Sequence, residues 1–123
     1  MARRYADTYS FLFTDIEGST RRWEAGAVDM ESALRRHDAL MRAAIEAHSG
    51  HVFKTVGDAF CAVFGSPVDA VLAAVESQQA LVLAQEADGD PLRVRMAVHS
   101  GVAEARDDDF FGPTVNRVAR ILS

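Results

Sequence analysis

Two short apolar segments meet at a tight turn in residues 51–64, whose sequence is HVFKTVGDAFCAVF. Both segments are rich in the β-branched and aromatic side chains that favour strands. Gly57-Asp58 separates them, and such a pair between two apolar segments is typical of a β-hairpin. We therefore predict two antiparallel strands, 51–56 and 59–64, joined by a tight turn.

The sequence before the hairpin predicts a strand followed by two helices. Residues 9–16, YSFLFTDI, form a short apolar segment typical of a buried strand. Residues 17–20 follow as a turn that supplies a helix N-cap, and Trp23 is expected to dock the short helix on the core. Apolar side chains at three- and four-residue spacing through residues 30–48 indicate a long amphipathic helix. Gly50 occupies the expected C′ position at the end of this helix.

The sequence after the hairpin predicts two more helices and one more strand. The Ser-Pro pair at residues 66–67 is typical of a helix start, and the apolar pattern continues to about Ala87. Apolar and polar residues alternate through residues 92–99, as in a strand with one buried face. Residues 104–109 are polar and are expected to form a loop, and a final helix begins at about Thr114.

The predicted order of elements is β-α-α-β-β-α-β-α. Strands separated by long helices indicate the α+β class, with helices packed on a mixed or antiparallel sheet as in a ferredoxin-like core. The length of 123 residues fits a single domain, 1–123. Because the helical pattern at residues 121–123 has no stop signal, we expect this domain to be incomplete at its C-terminal end.

Composition and charge exclude several classes of protein. Hydrophobic residues make up 49% and charged residues 25% of the chain, as in ordinary globular domains. The formal net charge of −5 argues against binding of nucleic acid through its phosphates. Cys61 is the only cysteine, so no internal disulfide can form, and it is expected in the core. Neither a membrane-spanning apolar run nor a signal peptide is evident, which predicts a cytoplasmic domain without a membrane segment.

Two carboxylates are predicted to lie at one edge of the sheet. Asp15 closes the first strand and Asp58 lies in the hairpin turn, so they emerge together if the hairpin lies beside that strand. Two carboxylates and a main-chain carbonyl suit Mg²⁺, which completes its shell with substrate phosphates. The backbone of Gly18-Ser19-Thr20, at a helix N-terminus, suits an anion. Each aspartate alone is more simply explained as a turn or capping residue, but the combination favours a site.

Other candidate residues have simpler explanations. Asn116 and Arg120 share one helix face and suit a ribose oxygen and a phosphoryl oxygen, but their spacing alone favours a solvated face. Lys54, the only lysine, would equally serve at an edge strand to discourage aggregation. His37 and His48 lie on the apolar stripe of the long helix. We expect them to have packing or surface roles rather than to bind metal, because a zinc site needs grouped ligands.

Three ordered motifs resemble the signatures of class III adenylate and guanylate cyclases. They are FTDIEGST at residues 13–20, FKTVGD at residues 53–58 and DFFGPTVN at residues 109–116, the last followed by Arg120. Each motif is moderately specific, whereas all three in this order and at compatible spacing are highly specific. The resemblance implies a nucleotide cyclase core across nearly the whole chain.

The resemblance also implies which residues bind metal and phosphate. Asp15 and Asp58 match the two aspartates that hold two Mg²⁺ or Mn²⁺ ions per site. Ile16 matches the residue that adds a main-chain carbonyl to these ligands. The turn whose backbone amides bind the triphosphate matches Glu17, Gly18, Ser19 and Thr20.

The same resemblance implies how the nucleoside is recognised. Lys54 and Asp109 match the pair that reads the purine in adenylate cyclases, since a lysine and a carboxylate complement the N1 acceptor and N6 donor of adenine. Asn116 matches the residue that orients the ribose. Arg120 matches the residue that stabilises the transition state.

The implied function is that of an adenylate cyclase, a lyase that converts ATP to 3′,5′-cyclic AMP and pyrophosphate for intracellular signalling. In this family the sites lie at the interface of a head-to-tail homodimer, where one protomer supplies the metal aspartates and the other supplies Lys54, Asn116 and Arg120. The family domain continues with further strands and another phosphate-binding lysine, so we expect the 123-residue chain alone to be weakly active or inactive. The alternative is a non-catalytic cyclase-like module that binds nucleotide, or only dimerises, and regulates an attached domain.

Overall fold

Five strands and four helices make up the part of the chain that the structure describes. The computed structural model describes residues 6–88 and 92–123. In chain order its elements are β1 (Ala6–Ile16), α1 (Ser19–Ala25), α2 (Ala27–Ala47), β2 (His51–Val56), β3 (Ala59–Phe64), α3 (Pro67–Asp88), β4 (Val94–Arg106), β5 (Asp109–Phe111) and α4 (Pro113–Leu122). Every predicted element is present, and β5 is an additional strand that the sequence did not predict.

The strands form one sheet in the order β2-β3-β1-β4-β5, and every pairing in it is antiparallel. The predicted α+β class, with helices packed on the sheet, is confirmed. β1 lies in the middle, where Phe13 is opposite Cys61 of β3 and Ala97 of β4. Because β1 is covered on both faces, its nearly continuous apolar sequence matches its position.

α2 and α3 cover one face of the sheet. Their buried side chains form one cluster with those of β1 and of the β2–β3 hairpin. Its largest fully buried members are Leu12, Met41, Ile45, Phe60 and Phe64. Burial of each such side chain stabilises the fold by about 1.5–3 kcal/mol relative to exposure. This cluster therefore anchors β1 and the hairpin to the two long helices.

α4 covers the other face of the sheet. Val118 of α4 is fully buried and belongs to the same cluster as Phe11 and Phe13 of β1. The two edge strands also meet over this face, because the rings of Phe53 on β2 and Phe110 on β5 have centroids 4.8 Å apart. Side chains of the two edges of the sheet are thereby brought within reach of each other.

The end of α2 differs from the prediction by one residue. Ser49, not Gly50, takes the left-handed C′ position, with a φ of 62°. The amide of Ser49 donates to the carbonyl of Glu46 at 3.1 Å and that of Gly50 to Ile45 at 2.9 Å, which is the Schellman pattern. Gly50 is needed for another reason, since a Cβ there would lie 2.3 Å from Cε2 of Phe64. The glycine allows close packing against the sheet rather than a positive φ.

For α1 the N-cap predicted within residues 17–20 is confirmed, whereas the predicted docking of Trp23 is wrong. Its N-cap is Gly18, in the left-handed conformation with a φ of 65°, and no side chain caps the helix. Trp23 is 36% exposed, and α1 buries none of its residues, so this helix is not docked on the core through its tryptophan. The physical reason is that α1 has no apolar stripe, because its sequence STRRWEA is mostly polar.

The loop predicted at residues 104–109 is a hairpin instead. β4 continues to Arg106, and the chain turns back into β5 through Asp107 and Asp108, whose φ values are 54° and 60°. Two successive positive φ values are those of a type I′ turn, which joins two antiparallel strands. Aspartate adopts this left-handed region more readily than most residues. The acidic run therefore forms a tight turn.

The hairpin and the starts of α3 and α4 agree with the predictions, whereas β1 begins at Ala6 instead of Tyr9. β2 and β3 flank Gly57, whose φ is 60°. α3 begins at Pro67, and Oγ of Ser66 accepts a hydrogen bond from the amide of Val68 at 3.2 Å. α4 begins at Pro113. Within residues 6–88 and 92–123, no helix combines the length and apolarity needed to cross a membrane.

Candidate functional site

A cleft of about 460 Å³ opens where β1 ends and α1 begins. The left-handed Gly18 turns the chain there directly from the strand into the helix. The lining residues are Asp15, Ile16, Gly18, Ser19, Thr20, Arg21, Glu24, Asp58 and Arg95. Six of the seven residues predicted to bind metal or phosphate therefore line one cleft.

A bidentate ion pair with Arg95 holds Asp15 at the end of β1. The two residues are opposite each other in the β1–β4 register. Nε and Nη2 of Arg95 donate to the two carboxylate oxygens of Asp15 at 2.8 and 2.6 Å. These hydrogen bonds, together with the charge of Asp15, raise the pKa of Arg95 above its ordinary value. Asp15 thus presents a negative charge to the cleft and has a cation against it.

Asp58 approaches the same point from the β2–β3 turn. Its Oδ1 accepts a hydrogen bond from the amide of Ile16 at 3.4 Å. Because β3 pairs with β1, the turn that precedes β3 lies at the end of β1. The predicted meeting of Asp15 and Asp58 at one edge of the sheet is confirmed.

The two carboxylates and the Ile16 carbonyl are oxygen donors that fit Mg²⁺ or Mn²⁺. The bound guanidinium of Arg95 shows that the cleft accommodates positive charge against Asp15. Within the described residues, no group of three or more His, Cys, Asp or Glu side chains could hold a metal ion alone. Mg²⁺ commonly binds through one or two carboxylates together with substrate phosphates. The donors therefore suit a cation that arrives with, or is shared by, a phosphorylated substrate.

The turn between β1 and α1 contains one amide that is already bonded. The amide of Glu17 donates to the carbonyl of Arg93 at 2.8 Å, and Glu17 does not line the cleft. This hydrogen bond counts against the predicted role of the Glu17 amide in phosphate binding. The first helical hydrogen bond of α1 runs from the amide of Arg22 to the carbonyl of Gly18 at 3.1 Å. The preceding amides of α1 consequently have no partner within the helix.

Lys54 and Asp109 form a second polar group, which joins the two edges of the sheet. Nζ of Lys54 donates to Oδ2 of Asp109 at 3.1 Å, and the amide of Phe110 donates to Oδ1 at 2.7 Å. Burial tends to raise the pKa of Asp109, but the hydrogen bonds from Phe110 and Lys54 outweigh it and hold the pKa below its ordinary value. The structure therefore brings together, as an ion pair, the two residues predicted to read the purine.

Cys61 lies close to this ion pair and is only 6% exposed. Burial raises the pKa of its thiol, while the charge of Lys54 lowers it and that of Asp109 raises it. A buried thiol with a raised pKa stays protonated and packs as a small apolar group. The prediction of a core cysteine is confirmed.

Asn116 and Arg120 lie on the exposed surface of α4. Neither lines the cleft. Val118, which lies between them in the sequence, is fully buried and marks the side of α4 that faces the sheet. The opposite side of α4 therefore faces away from the sheet. Within one chain, the structure thus separates the predicted ribose and transition-state residues from the cleft that contains Asp15 and Asp58.

His37 and His48 make packing and polar contacts. His37 is 1% exposed, with Nδ1 2.8 Å from Oδ1 of Asp38 and its ring edge-on to Phe60. The ring of His48, the C-cap residue of α2, contacts the carboxylate of Glu76 on α3. The predicted packing role is confirmed for His37, and His48 is partly exposed and contacts Glu76.

Sequence reasoning missed the basic side chain that contacts Asp15. Arg95 occupies a polar position of the strand predicted at residues 92–99, and polar positions of such a strand are normally solvated. Its meeting with Asp15 depends on the register between β1 and β4. The only signal in the sequence was an arginine on the exposed face of a strand, which becomes informative only after the strands are paired.

The chain matches the family described as adenylate and guanylate cyclase catalytic domain over residues 1–123. An uncharacterized protein of Mycobacterium tuberculosis is 34% identical over 116 residues, which cover 93% of this chain and 38% of that protein. The adenylate cyclase of Schizosaccharomyces pombe is 34% identical over 139 residues, which cover 93% of this chain and 8% of that protein. The chain thus spans less than half the length of these curated relatives.

Solved structures share the fold. Adenylate cyclases from Trypanosoma brucei, studied in their monomeric state, superpose with a TM-score of 0.83 at 29% identity, over 92% of this chain and 67% of theirs. An adenylate/guanylate cyclase/hydrolase from Silicibacter pomeroyi superposes with a TM-score of 0.85 at 28% identity, over 95% of this chain and 70% of its own. The family match covers the whole chain, and the fold agrees with it. This chain therefore belongs to the adenylate and guanylate cyclase catalytic domain family.

Proposed function

We propose that this domain is an adenylate cyclase, which converts ATP to 3′,5′-cyclic AMP and pyrophosphate. The observation that carries the proposal is the hydrogen bond between the Asp58 carboxylate and the Ile16 amide, which are 42 residues apart. That bond brings Asp58 to the same cleft as Asp15. Membership of the cyclase family supplies the class of reaction, and the cleft supplies the acidic residues that it needs.

Asp15, Asp58 and the Ile16 carbonyl would hold Mg²⁺ or Mn²⁺, with two ions per site. When bound, such ions lower the pKa of the attacking ribose 3′-hydroxyl and neutralise charge on the leaving pyrophosphate. The protein's own contribution is to orient the donors. The Ile16 amide holds one oxygen of Asp58, and in the metal-free cleft Arg95 keeps Asp15 oriented through both of its oxygens.

The triphosphate would lie against the beginning of α1. Gly18, Ser19 and Thr20 line the cleft, and the first amides of α1 have no partner within the helix. Such amides donate hydrogen bonds to phosphate oxygens. Because the Glu17 amide is bonded to Arg93, the phosphate contacts would begin at Gly18.

A second copy of this chain would complete the site. Asn116 and Arg120 are exposed on α4 and do not line the cleft of their own chain. In a head-to-tail homodimer, Asn116 of one protomer would orient the ribose bound to the other. Arg120 would neutralise charge that develops on the α-phosphate as the ribose 3′-oxygen attacks and pyrophosphate leaves. The exposure of both side chains supports this arrangement.

Lys54 and Asp109 would select adenine. The Lys54 ammonium can donate to the N1 acceptor of adenine, and the Asp109 carboxylate can accept from the N6 amino group. The two groups lie 3.1 Å apart, so one planar base edge can contact both. The relative from Schizosaccharomyces pombe is named an adenylate cyclase, which supports ATP as the substrate.

The proposal is tested by measuring cyclic AMP formed from ATP and Mn²⁺ by wild-type protein and by Asp58→Asn. This change keeps the size of the side chain but removes the negative charge, and turnover should fall by about two orders of magnitude or more. Asp108→Asn is the matched control, because it makes the same change in an exposed turn where asparagine also tolerates a positive φ. Near-normal turnover by Asp58→Asn would show that the metal assignment is wrong.

The second candidate is a non-catalytic module that binds nucleotide or only dimerises. The separation of Asn116 and Arg120 from the cleft within one chain favours it, since a single copy has an incomplete site. It predicts ATP binding, or only self-association, without cyclic AMP at any protein concentration. Calorimetry with ATP, together with the turnover assay, separates these possibilities.

A further inference from the structure

Both carboxylate oxygens of Asp15 are engaged by Arg95, a residue outside the three sequence motifs. The Nε and Nη2 groups donate at 2.8 and 2.6 Å. This fork-like contact matches the geometry of a carboxylate and is among the strong kinds of hydrogen bond. The guanidinium occupies one lone pair on each oxygen, so a metal ion at Asp15 would share the carboxylate with a cation already bound to both of its oxygens.

The sheet holds the backbone of Asp15 and Arg95 in place, so that only their side chains can move. Asp15 and Arg95 are directly opposite in the β1–β4 register, and the pairing continues on both sides of them. Their Cα positions are therefore held by the sheet. The Arg95 side chain is 47% exposed and can withdraw into solvent, whereas that of Asp15 is 24% exposed and remains at the wall of the cleft.

The charges along the cleft also favour competition between Arg95 and a divalent ion for the carboxylate of Asp15. Its acidic side chains are Asp15, Asp58 and Glu24, and its basic side chains are Arg21 and Arg95. A divalent ion placed at Asp15 would lie against the guanidinium that already neutralises this carboxylate. Two cations at such short range repel each other, which disfavours close contact of both with Asp15 at the same time.

We propose that Arg95 is the counter-ion of Asp15 in the metal-free cleft, and that it must release this carboxylate before a divalent cation binds there. Arg95 is then a positioning residue that keeps Asp15 oriented and weakens metal binding by the nucleotide-free protein. This inference rests on the proposed function, which assigns Asp15 as a metal ligand.

A purely structural cross-strand pair would behave differently. Opposite charges facing each other across two strands stabilise a sheet only modestly when solvent screens them. Loss of such a pair would lower the unfolding temperature slightly. It would leave the metal affinity unchanged, or would reduce it by disordering Asp15. The sign of the change in metal affinity therefore distinguishes the two roles.

The test is Mn²⁺ binding to the nucleotide-free protein, followed through the electron paramagnetic resonance signal of the free ion. Arg95→Gln should tighten Mn²⁺ binding about fivefold, because the ion no longer competes with a guanidinium for Asp15. The matched control Arg93→Gln removes the same charge from an exposed residue nearby in the chain. It should change the affinity by no more than about twofold, since solvent and salt screen exposed charges. Arg95→Lys keeps the positive charge but cannot donate to both oxygens in a fork, so its Mn²⁺ affinity should lie between those of the wild type and Arg95→Gln.

Several results would overturn the proposal. Equal tightening by Arg95→Gln and Arg93→Gln would show a general effect of charge. Weaker binding by Arg95→Gln, or unchanged binding with a lower unfolding temperature, would identify a structural pair. Asp15→Asn separates this inference from the proposed function. If Asp15→Asn abolishes binding while Arg95→Gln binds like wild type, the metal site stands and the counter-ion role is wrong. If Asp15→Asn binds like wild type, the metal assignment is wrong and the inference fails with it.

Discussion

Replacing Gly101 with alanine should destabilise the protein by crowding α4 against β4. A Cβ at Gly101 would lie 2.5 Å from Oγ1 and 3.0 Å from Cγ2 of Thr114. Thr114 directly follows Pro113, which begins α4, so its position is tied to that of the helix. Relief of the contact requires a shift of the threonine side chain or of α4 itself.

The size of the effect follows from two opposing terms. Insertion of a methyl group into a close contact costs about 1–3 kcal/mol. Alanine also restricts the unfolded chain more than glycine does, which returns about 0.4–1 kcal/mol. The net loss should be about 1–2 kcal/mol, which lowers the unfolding midpoint of a domain of this size by about 3–8 °C.

A double-mutant cycle with Thr114→Ala identifies the cause. Thr114→Ala removes Oγ1 and Cγ2 and leaves the Thr114 Cβ, which is 3.4 Å away and in nearly ordinary contact. Gly101→Ala should therefore cost much less in the Thr114→Ala background, with a coupling energy of about 1 kcal/mol. Urea and thermal unfolding of the four proteins measure this energy. If Gly101→Ala costs nothing, or costs the same in both backgrounds, the close approach of α4 to β4 is not what requires glycine.

Two further predictions concern the proposed function. Asp15→Ala and Arg120→Ala, each inactive alone, should recover roughly a quarter of wild-type cyclic AMP formation when the two variants are mixed. The reason is that half of the dimers then contain one copy of each variant, and each such dimer has one whole site. No recovery despite demonstrated subunit exchange would rule out a shared site. Lys54→Glu combined with Asp109→Asn should lower the ratio of ATP to GTP turnover by about two orders of magnitude, since guanine presents a donor at N1 and an acceptor at O6. An unchanged ratio would remove the Lys54–Asp109 pair from purine selection.

Local pattern was sufficient for most elements of the fold. β1, the β2–β3 hairpin and the long helices were predicted because apolar periodicity and turn residues act within a few positions. The predictions from local pattern were wrong where two signals in the sequence compete. Asp107 and Asp108 resemble loop residues, yet their tolerance of positive φ makes them a hairpin turn. Ser49 takes the left-handed position expected for Gly50, because the glycine is needed one residue later against Phe64.

In the candidate site, too, some features followed from the sequence and others only from the tertiary structure. The sequence by itself determined that Asp15 ends a strand and that Asp58 lies in a hairpin turn, and the pairing of β3 with β1 then brings the two residues together. Only the tertiary structure determined the pairing of Asp15 with Arg95 and of Lys54 with Asp109, which are 80 and 55 residues apart in the chain. These contacts depend on the register of β4 and on the approach of the two sheet edges. Register and curvature are properties of the whole sheet, and no segment of the sequence specifies them alone.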